Sequence, residues 1–251
     1  TKISGEDYPD LFDGGNSAEK IINAGALIDL LPYISEEKTP NLYNHIKDLL
    51  PQLVNENGEL FIIPNYGINY HEQVVNACNG PAFFIQKQVL AWAGYPQIKT
   101  LDEYFKLIED FIAANPTNEN GAAYEGFAIL CEDWRHFCLI NPVQHLMGRP
   151  NDGEVNINRT ADENGVHAVE TFIDKPYAKA YYAKLNEMYN KGLINPDTFT
   201  MTYDQYIAKL SAGTVLGMFD QTWDFGTATA ALETAKMYKN TFVALPLVYD
   251  E

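Results

Sequence analysis

Short, unbroken apolar runs alternate along this chain with longer stretches whose apolar residues recur every three to four positions. Unbroken runs suit strands covered on both faces, and the three-to-four spacing suits helices with one face turned inward. A chain patterned in this way folds as α/β or α+β. The runs predict strands at 60–63, 83–85, 127–130, 215–219 and 242–247. The clearest helix opens at Thr100, where Thr100 and Glu103 have the spacing of a capping box. Leu101, Tyr104, Phe105, Ile108, Phe111 and Ile112 follow as its inner face, and Asn115-Pro116 stops it. A second helix is predicted over 176–191, burying Tyr181, Leu185, Met188 and Tyr189 and closed by Gly192, and a third over 203–212, closed by Gly213. Shorter helices are expected at 17–25, 39–50, 86–93, 134–146 and 222–237, with Trp92 a core residue of the third of these. Two stretches, 115–124 and 148–165, read as loops; Asn151-Asp152-Gly153 is a hairpin-turn signal and Asp162-Glu163-Asn164-Gly165 a plain turn.

Charge narrows the function classes. Among 251 residues, 34 are acidic and 17 basic, a formal net charge of −17. A chain that binds nucleic acid needs a cationic face to displace counterions from phosphates, so that partner is excluded, as is an anionic membrane surface. No apolar run reaches the ~18 residues of a membrane span. The three cysteines, Cys78, Cys131 and Cys138, form no CxxC or Cys/His cluster and read as thiols, although Cys131 and Cys138 would share a face if both lay on one helix. Phosphate-cradling, dinucleotide, zincin and nucleophile-elbow motifs are missing from the sequence, so no cofactor, metal or catalytic residue is predicted.

The informative residues gather at the ends of elements. Asp13-Gly14-Gly15-Asn16-Ser17 precedes a helix, and Asn16 with Glu19 fits a capping box. After the strand at 127–130 comes Glu132-Asp133-Trp134, and after the strand at 215–219 comes Trp223-Asp224. Both place a Trp beside carboxylates just past a strand, where open α/β sheets bind ligands. Trp beside Asp suits a sugar, because the indole face covers the C–H face of the ring while the carboxylate accepts from hydroxyls.

Four collinear stretches resemble the extracellular solute-binding proteins of carbohydrate ABC importers, the family of maltose-binding proteins and many Gram-positive lipoproteins. Ser4-Gly5-Glu6-Asp7-Tyr8-Pro9-Asp10-Leu11-Phe12 resembles the family's SGxxPDxF strand, and Ala24-Gly25-Ala26-Leu27-Ile28-Asp29-Leu30 the helix end after it. Asn57-Gly58-Glu59-Leu60-Phe61-Ile62-Ile63-Pro64 is similar to its dGKxYgiP hairpin. The run from Phe84 to Leu90, then Ala93-Gly94-Tyr95-Pro96 and Lys99-Thr100-Leu101-Asp102-Glu103, resembles its KdxLekaGyxxPkTxdE segment. Leu210-Ser211-Ala212-Gly213-Thr214-Val215-Leu216-Gly217-Met218, followed by Trp223, resembles fxxGkaAmxxxgxW, with Thr214 in place of the family's Lys.

The resemblance implies the periplasmic-binding-protein-like class II α/β fold, two lobes with the ligand in the cleft between them. It implies an incomplete chain: part of lobe 1 in 1–80 with a hinge-proximal segment at 66–82, lobe 2 in 81–247, and a truncated return to lobe 1 in 248–251. Asp13, Asn16 and Ser17 fall on the lobe-1 ligand loop, Tyr66 near the hinge, and Glu132, Asp133, Trp134, Trp223 and Asp224 on lobe 2. The implied function is non-enzymatic: a monomeric receptor, cell-surface lipid-anchored or periplasmic, that delivers a sugar or oligosaccharide to ABC permease subunits. A peptide or polyamine receptor on the same fold and a carboxylate-based glycoside hydrolase are the alternatives.

Overall fold

A computed structural model describes residues 10–11, 14, 17–63, 80–149, 151–152, 155–157 and 160–248. The chain forms two compact units, Thr1–Val75 and Asn76–Glu251.

The first unit is built from short helices: α1 (Ala18–Asn23), α2 (Pro40–Ile46) and α3 (Leu50–Leu53). Ile34, Ile46 and Leu60 form its buried centre. The helix predicted over 39–50 divides because Pro51 donates no backbone hydrogen bond to a continuous helix and sits instead in the first turn of α3. The N-cap of α1 is Ser17, with no side-chain cap bond, rather than Asn16, which lies outside the described residues. The strand expected at 60–63 does not form. Asp29 Oδ1 accepts from the backbone N–H groups of Leu31 (3.0 Å) and Leu60 (2.9 Å), and Leu30 N–H donates to the Leu60 carbonyl (2.7 Å). One carboxylate and one backbone bond thus satisfy groups that a ladder would have paired, and Ile62 and Ile63 stay exposed.

The second unit runs β1 (Ala82–Gln86), α4 (Lys87–Trp92), α5 (Leu101–Ala114), β2 (Glu125–Ala128), α6 (Phe137–Leu146), β3 (Asn151–Asp152), β4 (Val155–Ile157), β5 (Val169–Thr171), α7 (Pro176–Asn190), α8 (Tyr203–Ser211), β6 (Val215–Asp220), α9 (Gly226–Thr234) and β7 (Phe242–Leu245). Four strands make one sheet in the order β2-β6-β1-β7. β2 runs parallel to β6, whereas β1 is antiparallel to both its neighbours. Every residue of β1 and β6 is buried, as their unbroken apolar runs require. Phe83 and Ile85 enter one cluster with Tyr104, Phe105, Ile108 and Phe127, while Ala82 and Phe84 enter another with Tyr206, Leu210 and Met218. The alternation along β1 therefore feeds two cores.

The capping box at the head of α5 forms as expected, with Glu103 N–H donating to Thr100 Oγ1 (3.2 Å) and Thr100 N–H to Glu103 Oε2 (3.1 Å). A second box, Thr202 with Gln205, starts α8. Four predictions need correction, the first being Tyr189, expected on the buried face of α7 but 47% exposed. Trp92 is 46% exposed and meets only the edge of the inner face, its ring perpendicular to Phe111 at 5.6 Å. α4 has six residues, too few for a sequence pattern to tell its inner face from its rim. The stretch 148–165 is not plain loop: β3 pairs antiparallel with β4, Asp152 opposite Val155, and β5 adds a third strand; Gly153 of the turn signal lies outside the described residues. Its strands escaped notice because Val155, Ile157 and Val169 are exposed and leave no burial pattern. Finally, Cys131 precedes α6 rather than sharing a helix face with Cys138, and both are free thiols. Cys78 lies outside the described residues.

Candidate functional site

Because β2 and β6 are parallel neighbours, with Phe127 opposite Gly217 and Ala128 opposite Met218, the chain leaves both at the same end of the sheet. The two Trp-bearing segments therefore emerge side by side. After β2 the chain makes a 3-10 turn, Asp133–His136, that leads into α6. Asp133 enters it at φ +53°, in the left-handed region that Asp tolerates better than most residues. After β6, Trp223 and Asp224 lie in a turn ahead of α9.

The rings of Trp134 and Trp223 stack on each other, centroids 5.7 Å apart and planes 18° from parallel. Phe137 packs beneath, 5.9 Å from Trp134 and 6.2 Å from Trp223. Trp134 is 48% and Trp223 54% exposed, which makes the pair a half-wet platform rather than core. Trp223 Nε1 donates to Gln221 Oε1 at 2.8 Å, so one indole edge is already satisfied by its own loop.

Acidic and basic groups surround the platform. Glu132 and Asp133 are exposed. Glu132 Oε2 accepts from Tyr203 N–H at 2.6 Å, which places a carboxylate on the N-terminal turn of α8. Asp224, expected among the lobe-2 ligand contacts, is only 2% exposed. Its Oδ1 accepts from Arg135 Nε at 3.0 Å, its carbonyl accepts from Tyr203 Oη at 2.6 Å, and its Oδ2 is buried without a hydrogen-bond partner. Burial raises the Asp224 carboxyl, against the opposing pull of Arg135.

Sequence reasoning missed Arg135, Tyr203 and Asp220. Arg135 and Tyr203 carry no motif, and Asp220 reads as the polar end of a strand. Cys138 Sγ and one carboxylate oxygen each of Asp220 and Asp224 lie within 4.8 Å of one another, all three residues buried. Such donors suit a divalent cation, but both Asp220 oxygens already accept, from Tyr206 Oη (2.7 Å) and Gln221 N–H (2.7 Å), and Arg135 already lies on Asp224. Protons and one guanidinium balance this cluster: burial lifts the Cys138 thiol well above its usual range and pushes the Asp220 carboxyl up to about 7.

That value has a consequence for stability. Unfolded, Asp220 titrates near its usual 3.8, so through the window from 3.8 to about 7 the folded state holds a proton that the unfolded chain has released. The stability this group contributes is full below that window and is lost as pH rises through it. Asp220→Asn, which cannot titrate, is expected to gain stability relative to the parent as pH goes from about 5 to about 8, by up to about 1.4 kcal/mol per pH unit. Thermal melts of the two proteins across that range check it; a stability difference that does not change with pH would contradict the assignment.

Of the nine predicted site residues, Glu132, Asp133, Trp134, Trp223 and Asp224 are gathered in the second unit. Ser17 is exposed at the head of α1 in the first, and Asp13, Asn16 and Tyr66 lie outside the described residues. The profile of the family described as bacterial extracellular solute-binding protein matches residues 1–247. The chain belongs to that family.

Solved structures agree on the fold of this solute-binding protein. The S. pneumoniae ABC-transporter substrate binding protein FusA, in complex with kestose, superimposes with a TM-score of 0.61 at 21% identity, over 91% of this chain and 46% of FusA. An HMO-binding, ABC-transporter-associated solute-binding protein from Bifidobacterium longum infantis gives 0.59 at 20% identity, over 92% of this chain and 47% of that one. The alginate-binding protein AlgQ2 gives 0.53 at 17% identity, over 88% and 42%. This solute-binding protein thus spans less than half the length of those relatives. No curated protein matches it by sequence. The family and these relatives are binding proteins rather than enzymes. Among the described residues, no helix is long and apolar enough to cross a membrane.

Proposed function

We propose that this protein is the receptor of a carbohydrate ABC importer and that its ligand is an oligosaccharide. The Trp134–Trp223 stack, half exposed beyond two parallel strands, carries the reading. A pair of flat apolar faces with carboxylates at the rim matches a sugar, which presents C–H groups on its faces and hydroxyls around its edge. At 5.7 Å between centroids the indoles are in contact, and Arg135 lies over the Trp134 ring, so the sugar lies along the outer face of Trp223 rather than between the rings. Glu132 and Asp133 accept from hydroxyls; Asp13, Asn16, Ser17 and Tyr66 contribute from the first unit. In this reading residues 1–80 are part of lobe 1, 81–247 are lobe 2, and 248–251 begin the return to lobe 1. Closure of the lobes around the sugar is driven by tighter binding to the closed state, which the permease subunits recognise. The receptor acts as a monomer outside the cytoplasm, lipid-anchored or periplasmic.

Calorimetric titration against neutral oligosaccharides, polyamines and short peptides tests the proposal. Saturable heat with the oligosaccharides is expected. Binding confined to amines or peptides would overturn the sugar assignment, and turnover of a chromogenic glycoside would move the protein to the enzyme class.

A further inference from the structure

We propose that Arg135 is the positioning residue of the tryptophan platform: clamped between two rings and tied to a buried carboxylate, it sets the plane on which a ligand stacks. The ligand half of this inference rests on the carbohydrate reading above; the positioning half does not.

The guanidinium carbon lies 4.4 Å from the Trp134 ring centroid and 3.8 Å from that of Tyr203. Its Nε donates to Asp224 Oδ1 at 3.0 Å, with the Arg135 side chain 20% and the Asp224 side chain 1% exposed. Each tryptophan is thus followed directly in sequence by one member of this ion pair, Trp134 by Arg135 and Trp223 by Asp224. The pair ties together two loops 89 residues apart. Tyr203 adds a third tie, its hydroxyl to the Asp224 carbonyl and its N–H to Glu132. Contact between two half-exposed rings is a weak restraint by itself, whereas an ion pair to a buried carboxylate holds strongly because losing the guanidinium strands that charge. Asp224 Oδ2 has no hydrogen-bond partner, so without Arg135 neither side-chain oxygen would be compensated. Lys cannot replace Arg here, because only a planar guanidinium lies flat on two rings while its edge donates to a carboxylate.

Stacked indoles couple their transitions, so the far-ultraviolet circular dichroism of the protein carries an exciton couplet that reports the Trp134–Trp223 geometry without any ligand. Trp134→Phe supplies the baseline in which the couplet is absent. Three further proteins are compared for couplet amplitude, melting midpoint and affinity for the oligosaccharide bound by the parent. Arg135→Lys keeps the charge, and is expected to keep the midpoint within a few degrees of the parent while losing most of the couplet. Arg135→Met strands Asp224 and lowers the midpoint. Arg135→Met with Asp224→Asn removes the stranded charge, and is expected to recover the midpoint but not the couplet, with affinity down about tenfold. A couplet that stays at parental amplitude in Arg135→Lys and in the double variant overturns the proposal. If the couplet falls as expected while the parent binds no sugar, the positioning role stands and the carbohydrate reading fails.

Discussion

Truncating Trp223 to alanine is expected to weaken oligosaccharide binding about thirtyfold, roughly 2 kcal/mol, with little loss of fold stability. The indole is 54% exposed and belongs to neither buried cluster of the second unit, so its removal opens no cavity in the core. What goes is one of the two stacked faces, together with the partner that shields one side of Trp134. Trp223→Phe keeps a flat apolar face and is expected to recover most of the affinity. Calorimetry with the parental ligand measures both, and melting curves confirm that each variant is folded. An Ala variant that binds as tightly as the parent would remove Trp223 from the site.

The largest effect on stability is expected at Gly217, in the middle of β6. A Cβ there would overlap the Tyr104 hydroxyl and come within 3.0 Å of Ile108 Cδ1. Tyr104 cannot step aside: it is fully buried, its hydroxyl donates to the Phe84 carbonyl at 2.6 Å, and its ring packs edge-on against Phe83, Phe105 and Phe127. Gly217→Ala should therefore cost about 3 kcal/mol, at the upper end of what overpacking a close-packed interior does. Adding Tyr104→Phe deletes the overlapped oxygen. The double variant is then expected to be more stable than the sum of its two single changes, by at least about 1 kcal/mol in denaturant melts. Simple additivity would show that the clash is not with Tyr104.

Both predictions concern residues that local sequence pattern brought into view, and the limits of that view have physical causes. The capping box of Thr100 and Glu103 and the apolar runs of β1 and β6 were legible because each is a local rule acting on adjacent residues. The two tryptophans were legible as a class of position, a Trp beside acids past a strand. That they touch was not, because it depends on β2 and β6 being parallel neighbours, which no local pattern records. The burial of Asp224 was hidden for the same reason: its partner lies 89 residues away. At 60–63 the apolar run was real, but a carboxylate at Asp29 took the backbone group a partner strand would have used. The three-stranded sheet was missed because its strands are only two or three residues long, sit among Asn, Asp and Gly, and leave their valines and isoleucine exposed.

The strand order β2-β6-β1-β7 also dictates when the second unit can fold. β1 is made early, yet both its neighbours come late: Ile85 pairs with Gly217 and Val243, and Gln86 with Phe242. At ~5–20 residues per second of synthesis, the ribosome needs roughly 8–30 s to advance from Gln86 to Phe242. For that interval Phe83, Phe84 and Ile85 have no sheet to join. Loop closure over such a span makes assembly slow even once the chain is complete. This unit of the nascent protein is therefore expected to stay unfolded and chaperone-accessible through that interval, and to gain protease resistance only after β7 has emerged.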